Sequence, residues 1–214
     1  MIRYFITGTD TDCGKTYVTC KLLDYFRTKG KQALALKPIA SGCNRVNEQL
    51  ISEDVVNLQN YNGDSSLTIN GWRFAPPISP HLAAKEVNTR LSAQEIADFC
   101  LNEQYKKYNP LLIEGAGGLM VPLNDEETWL DFLELTKVPV IIVVAMRLGC
   151  LNHALLTAAA LKTKQITAAG WIANCLDPKM LCLEENIDTL SLKMQMPLLG
   201  VLPYGGKFQS LSLV

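Results

Sequence analysis

The chain has 214 residues, 48% of them hydrophobic and 19% charged, a balance that suits one globular α/β domain with a substantial buried core. A formal net charge of −1, with no block of like charges, gives no support to a nucleic-acid or acidic-membrane partner. Residues 2–7 are too few for a secretory signal and the run Val138–Met146 is too short to span a membrane, while seven irregularly spaced cysteines fit a reducing cytoplasm better than a disulfide framework.

In chain order, residues 2–7 read as a strand. Residues 15–28 carry Val18, Leu22, Tyr25 and Phe26 at helical spacing, and Gly30 closes that helix. Between them lies Gly8-Thr9-Asp10-Thr11-Asp12-Cys13-Gly14-Lys15-Thr16. An apolar strand turning through glycines into Gly-Lys-Thr and a helix is the pattern of a phosphate-cradling P-loop, where backbone N–H groups and the helix dipole converge on anionic oxygens. In that role Lys15 reaches the β- and γ-phosphates, and the Thr16 hydroxyl joins the shell of a Mg²⁺ ion. The spacing departs from the usual one, because the first glycine stands at Gly8 and not at the position of Thr9. The alternative reading is a tight turn carrying a surface lysine.

Gln32–Pro38 reads as a second short strand and opens the motif Lys37-Pro38-Ile39-Ala40-Ser41-Gly42. A lysine at the end of a buried parallel strand is costly unless it meets an anion. Either its stem snorkels to the rim, or it sets a second cation beside Lys15. Ser41, beside a glycine, is a candidate substrate contact. A polar loop precedes the helix expected over Glu53–Gln59, where Asp54 reads as a first-turn acid. Ala75–Pro80 is proline-rich and leads into a further helix with Ser79 as N-cap and Pro80 at its first position. Ser92-Ala93-Gln94-Glu95 is a capping box that opens a helix expected to run to about Lys106.

Continuous apolar runs follow at Leu111–Ile113, Val138–Ala145, Ala168–Ala173 and Leu198–Leu202, separated by helical segments near 128–136, 152–164 and 180–194. Short, fully apolar strands alternating with helices specify a P-loop NTPase-like, doubly wound, mostly parallel sheet with helices on both faces, here as a single domain over residues 1–214. Ligands of such sheets collect beyond the carboxyl ends of the strands. Glu114, heading Glu114-Gly115-Ala116-Gly117-Gly118, is where an acidic Mg²⁺ ligand belongs opposite Thr16. Arg147-Leu148-Gly149-Cys150-Leu151-Asn152-His153 opens a helix whose free N–H groups suit a carboxylate, although Asn152 also reads as an ordinary N-cap. Asn174 either reads a base edge through its amide or merely terminates its strand. No Cys-x-x-Cys pair or histidine-rich cluster suggests zinc.

Taken together, the P-loop, Lys37–Gly42, Ser79-Pro80-His81-Leu82-Ala83-Ala84, Glu114–Gly118 and Leu148–His153 resemble, in order and over essentially the whole chain, the dethiobiotin synthase family. The resemblance implies an ATP-dependent cyclising ligase of biotin synthesis that joins CO₂ to 7,8-diaminopelargonic acid through a carbamate and a carbamic-phosphoric anhydride. It implies Lys15 and Lys37 as the catalytic cations, Thr16, Asp54 and Glu114 as Mg²⁺ ligands, and Thr11 and Ser41 at the carbamate and diamine end. ATP is expected on Asp12, Cys13, Gly14, Lys15, Thr16, Tyr17, Asp54 and Glu114, with Gly115, Ala116 and Gly117 nearby. Asn174, Cys175, Pro203, Tyr204 and Gly205 are implied at the base. The substrate carboxylate would rest on Cys150, Leu151 and Asn152 of a partner subunit, making the active form a cytoplasmic homodimer.

This chain departs from the family at three places: the P-loop is a variant with Asp12-Cys13 before Gly14, Asn186 stands where some members carry a tyrosine that reaches the partner's substrate, and the stretch Leu202–Lys207 is shorter than in relatives. The competing reading is a P-loop partition or positioning switch ATPase. Such switches carry a further lysine early in the loop, whereas this chain has Asp10 and no lysine before Lys15.

Overall fold

A computed structural model describes residues 1–208 and 210–213. The chain begins with β1 (Arg3–Gly8), whose last four residues are buried, and passes through the glycine-bounded loop into α1 (Lys15–Thr28). β2 (Leu34–Leu36) follows, then β3 (Ile39–Ala40) and a hairpin of β4 (Asn44–Val46) and β5 (Gln49–Ile51). α2 (Glu53–Asn62) is capped by Ser52, whose hydroxyl accepts from Val55 N–H, and β6 (Trp72–Arg73) pairs with β3. Two helices come next, α3 (Pro80–Glu86) and α4 (Ala93–Cys100). The remaining elements alternate strictly: β7 (Leu111–Glu114), α5 (Trp129–Thr136), β8 (Val140–Met146), α6 (Cys150–Thr163), β9 (Ala168–Cys175), α7 (Leu183–Lys193) and β10 (Leu198–Leu202).

Six strands form one parallel sheet in the order β10-β9-β8-β1-β7-β2. The β1–α1–β2 crossover moves one way along this sheet, and the crossovers from β7 to β10 move the other way. Right-handed connections therefore put α1 on one face and α5, α6 and α7 on the opposite face. Every residue of β7 and β8 is buried, the fully apolar pattern that helices on both faces require. The aromatic rings of Phe5, Trp129 and Phe132 meet at centroid distances of 5.2–5.7 Å, fixing α5 under β1.

Several local expectations are corrected. α4 ends at Cys100 instead of running to Lys106, because Asn102 caps a separate 3₁₀ turn, Glu103–Tyr105, that buries the Tyr105 ring. Ser92 does accept from Glu95 N–H at 3.1 Å, but the Glu95 carboxylate turns to the Ser92 hydroxyl and the capping box is not reciprocal. The full box lies at Thr128 and Asp131. Ser79 precedes α3 as expected, with Pro80 in the first turn, but its hydroxyl makes no capping bond.

Candidate active site

The carboxyl ends of β1, β2 and β7 open into a cleft of about 500 Å³. Its floor is the P-loop. Gly14 is held at φ +86° in the left-handed region, and Asp12 also has a positive φ of 56°, so the backbone N–H groups curl into the concave form that accepts an anion. A Cβ on Gly14 would lie 2.2 Å from the Asn174 amide nitrogen, which donates to Cys13 O at 2.9 Å and braces the loop from behind. The early glycine has a packing reason. A Cβ at Gly8 would meet the buried Cys13 Sγ at 2.1 Å, so the sulfur fills the space that a glycine at position 8 vacates.

Lys15 is 7% exposed, and its Nζ donates to Asp10 O at 2.9 Å. Asp10 is itself tied down: its carboxylate accepts from Thr11 N–H at 2.8 Å and from the Arg147 guanidinium at 2.7 Å. The arginine comes from the turn after β8, so this pair links the P-loop to the segment that opens α6.

Beside the P-loop, four side chains converge, from α1, α2, β7 and the residue that follows β2. Lys37 Nζ donates to Glu114 Oε1 at 2.7 Å and lies 3.0 Å from Asp54 Oδ2, while the Thr16 hydroxyl donates to the same Glu114 oxygen at 2.6 Å. Lys37 is 4% exposed and Glu114 fully buried. Burial alone would lower the Lys37 ammonium pKa, but the charges of Glu114 and Asp54, each also hydrogen-bonded to it, outweigh burial and raise it above the ordinary lysine value. Burial would likewise raise the Asp54 carboxyl; the Lys37 charge and hydrogen bond, then Thr16 and Lys15, hold it below its ordinary range. The lysine therefore does not snorkel. It is a buried cation held between two acids.

The second Glu114 oxygen, Oε2, is buried with no hydrogen-bond partner among the described residues. A buried carboxylate oxygen left bare is costly, and a hydroxyl with two carboxylates is an oxygen-only donor set. These residues fit Mg²⁺. Among the described residues no group of three or more His, Cys, Asp or Glu side chains could hold a metal by itself, so an ion here needs further oxygens such as phosphates.

The structure brings Thr11, Asp12, Gly14, Lys15, Thr16, Tyr17, Lys37, Ser41, Asp54, Ala116 and Gly117 to this one cleft. The Ser41 Oγ is shielded from solvent with no hydrogen-bond partner among the described residues, a donor left for something in the cleft. Cys13, Glu114 and Gly115 lie immediately behind its lining. Asn174, Cys175, Pro203, Tyr204 and Gly205 do not line it; they sit at the ends of β9 and β10. Tyr17 connects the two groups, its hydroxyl donating to Gly206 O at 3.3 Å. Cys150, Leu151 and Asn152 form the first turn of α6, outside the cleft of their own chain.

Sequence reasoning missed one wall. The proline-rich segment leads into α3 as expected, but its residues Pro77, Ile78, Ser79 and Pro80, absent from the expected site residues, also line the cleft. Its signal was present in principle, since a rigid segment following a strand end belongs at the ligand edge of such a sheet.

A family model described as an AAA domain matches residues 3–210. A curated relative from Legionella pneumophila (strain Paris), named ATP-dependent dethiobiotin synthetase BioD, is 53% identical over 213 residues, covering 100% of this chain and 99% of the relative. A relative of the same name from Nitrosospira multiformis is 42% identical over 205 residues, covering 94% of this chain and 88% of its own. Among solved structures, cell division protein FtsY from Thermotoga maritima matches with a TM-score of 0.59 at 14% identity, covering 99% of this chain; the chain spans 65% of that protein. The septum site-determining protein MinD from Pyrococcus horikoshii, complexed with Mg-ADP, gives 0.54 at 19% identity, covering 94% of this chain and 80% of that one. At such identities the likeness is one of fold, that of the P-loop NTPases.

Proposed function

This chain belongs to the family of ATP-dependent dethiobiotin synthetases, and from that premise we propose that it closes the cyclic urea of dethiobiotin from diaminopelargonic acid, CO₂ and ATP. The observation that carries this reading is the meeting of Lys37, Glu114 and Thr16 beside Lys15 in one cleft. Related P-loop folds serve many ends, but a second buried cation at the strand end beside the phosphate cradle suits a reaction in which carboxylate and phosphoryl charge must be neutralised together.

In this mechanism one substrate amine attacks CO₂ and loses a proton, giving a carbamate. A carbamate oxygen then attacks the γ-phosphorus of ATP, ADP leaves, and a carbamic-phosphoric anhydride results. The second amine attacks the anhydride carbonyl and expels phosphate. Lys15 leaves Asp10 O to meet the phosphates, while Lys37 stabilises charge on the carbamate and the transferring group. Ser41 and Thr11 hold the carbamate and diamine end, where the unpartnered Ser41 hydroxyl stands ready. Thr16, Asp54 and Glu114 would hold Mg²⁺, which supplies charge neutralisation for the phosphates. Phosphoryl transfer leaves little covalent chemistry to the protein, so the cations act by position and charge.

The base of ATP lies toward Asn174, Cys175 and the turn Pro203–Gly205, which Tyr17 ties to α1. The substrate carboxylate rests on the N-terminus of a partner subunit's α6, at Cys150, Leu151 and Asn152. Leu148, just before that helix, is fully exposed, and Leu156 on the helix and Met120 beside it are each more than half exposed, which supports a subunit interface there. The enzyme works as a cytoplasmic homodimer, each chain a single catalytic domain.

The test is incubation of the purified protein with diaminopelargonic acid, bicarbonate, Mg²⁺ and ATP, followed by mass spectrometry for dethiobiotin. Product that requires all four components is the expected result. Nucleotide hydrolysis with no product under any of these conditions would overturn the reading in favour of a switch ATPase.

A further inference from the structure

Lys37 is buried, yet it follows a strand at the edge of the sheet. β2 is the edge strand of the sheet, paired only through β7, and it ends at Leu36, one residue before the lysine. Among the described residues, no further strand of that sheet holds the backbone on its outer side. Pro38 cannot donate a hydrogen bond, so the chain leaves the sheet just where the ammonium must be aimed.

The segment 69–73 takes the place of the missing strand. Lys37 N–H donates to Ile69 O at 2.9 Å. The Asn70 side chain, 4% exposed, donates through Nδ2 to Lys37 O at 2.7 Å, to Pro38 O at 3.1 Å and to Trp72 O at 3.2 Å. Both backbone groups of Lys37 are thus clasped by consecutive residues. The orientation of the amide is fixed by chemistry: its oxygen accepts from Arg73 Nε at 2.6 Å, and an arginine nitrogen only donates, so the NH₂ must face the carbonyls.

We infer that Asn70 is a positioning residue for Lys37, clasping the backbone of the lysine so that its ammonium stays aimed between Glu114 and Asp54, with Arg73 orienting the Asn70 amide. The inference rests on the reading of the cleft as the ligase site. Of the hydrogen bonds made by the Asn70 side chain, the one to Lys37 O is the one that reaches a residue lining the cleft, so Asn70 acts through the lysine. A shift of that backbone moves the Nζ off the reacting oxygens while leaving the P-loop in place.

The experiment is a double-mutant cycle on the full-length protein, with kcat and the KM for ATP measured for wild type, Asn70→Ala, Lys37→Gln and the double variant. Asn70→Ala should lower kcat about tenfold to a hundredfold, the range expected when a reacting group is misplaced by an ångström. The KM for ATP should stay within about twofold, because nucleotide binding resides in the P-loop. In the Lys37→Gln background the same substitution should cost less than about twofold, the non-additivity of residues acting as a unit.

Losses that multiply in the double variant, or a full kcat in Asn70→Ala, would overturn the inference. Should Asn70→Ala lose its unfolding transition, Arg73→Met enters the same cycle, since Arg73 is exposed and its removal leaves the core intact. A wild-type protein that makes no dethiobiotin overturns the activity reading instead. Asn70 is then judged by nitrogen NMR of the Lys37 ammonium, whose exchange-protected resonance should vanish in Asn70→Ala; a retained resonance would reject the clasp.

Discussion

Lys37 Nζ and Glu114 Oε1 are 2.7 Å apart at the ends of two neighbouring strands, both side chains withdrawn from water. Two opposite charges in so dry a place stabilise little as a pair, but each makes the other tolerable. The arrangement stores a cation and an acid side by side at the mouth of the phosphate cradle.

Lys37→Met therefore affects folding as well as catalysis. It leaves the Glu114 carboxylate buried and uncompensated, a change that costs about 3–5 kcal/mol in comparable buried pairs. The urea midpoint at pH 7 should fall accordingly, and Lys37→Met/Glu114→Gln should recover most of it. Both variants should form dethiobiotin at only a small, measurable fraction of the wild-type rate. An unaltered midpoint in the single variant would contradict the pairing.

Glu114→Gln keeps the shape of the side chain but removes the charge and one acceptor. The Mg²⁺ concentration giving half-maximal ATP turnover should rise by about tenfold or more, as for lost carboxylate ligands of a hard cation. A Mg²⁺ dependence identical to wild type would remove Glu114 from the metal shell.

The pH dependence of stability follows from the same cluster. Asp54 has its folded pKa below the ordinary 3.8, so its contribution is present above that value and is lost as pH falls through the lower folded value. Lys37 has its folded pKa above 10.5, so its contribution is complete below 10.5 and is lost as pH rises through the folded value. The difference in urea midpoint between wild type and Asp54→Asn should be constant from about pH 5 to pH 9 and shrink in acid. A difference that grows on acidification would reverse the assigned sign.

Gly14→Ala should abolish nucleotide binding in a protein that still folds. The alanine must hold a φ of +86° and put its Cβ 2.2 Å from the Asn174 amide nitrogen. Asn174→Ala should not rescue it, since removing the clash leaves the backbone strain. Fluorescent-nucleotide titration of the three variants reads this directly; binding restored in the double variant would show that contact alone decides.

Sites completed across an interface can be revealed by mixing. Leu151→Pro removes one N–H from the first turn of α6, where proline is tolerated by the helix. Lys37→Met and Leu151→Pro chains, each impaired alone, should together regain about a quarter of wild-type activity after subunit exchange, because half the dimers then carry one intact site. Mixtures no more active than their parts would mean that each chain builds its site alone.

The alternation of apolar runs and amphipathic segments made the sheet legible, because a strand buried on both faces, such as Val140–Met146, admits no polar residue. Lys37 and Glu114 were legible for the same reason in reverse, as charged residues at strand ends against apolar runs, and Gly14-Lys15-Thr16 by its glycine-bounded turn into a helix. The end of α4 was not. Its helical period continues past Cys100, but Asn102 starts a separate turn and Tyr105 is drawn inward, a decision made by tertiary packing. Asn70 gave no signal either, since one asparagine in a loop looks like any other until its three carbonyls are in view.

By itself the sequence determined which residues are apolar, which strand ends are charged, and where glycine frees the backbone, and these are local properties set by one or a few neighbours. Only the tertiary structure decided that Lys37 pairs with Glu114 from a position 77 residues away and that Asn174 braces Cys13 across 161. It also decided that Gly8 is required by the Cys13 sulfur and that a proline-rich segment becomes a wall of the cleft. Such relations depend on how separate strands align in one sheet. That alignment is chosen by the burial of the whole core and is written in no single stretch of chain.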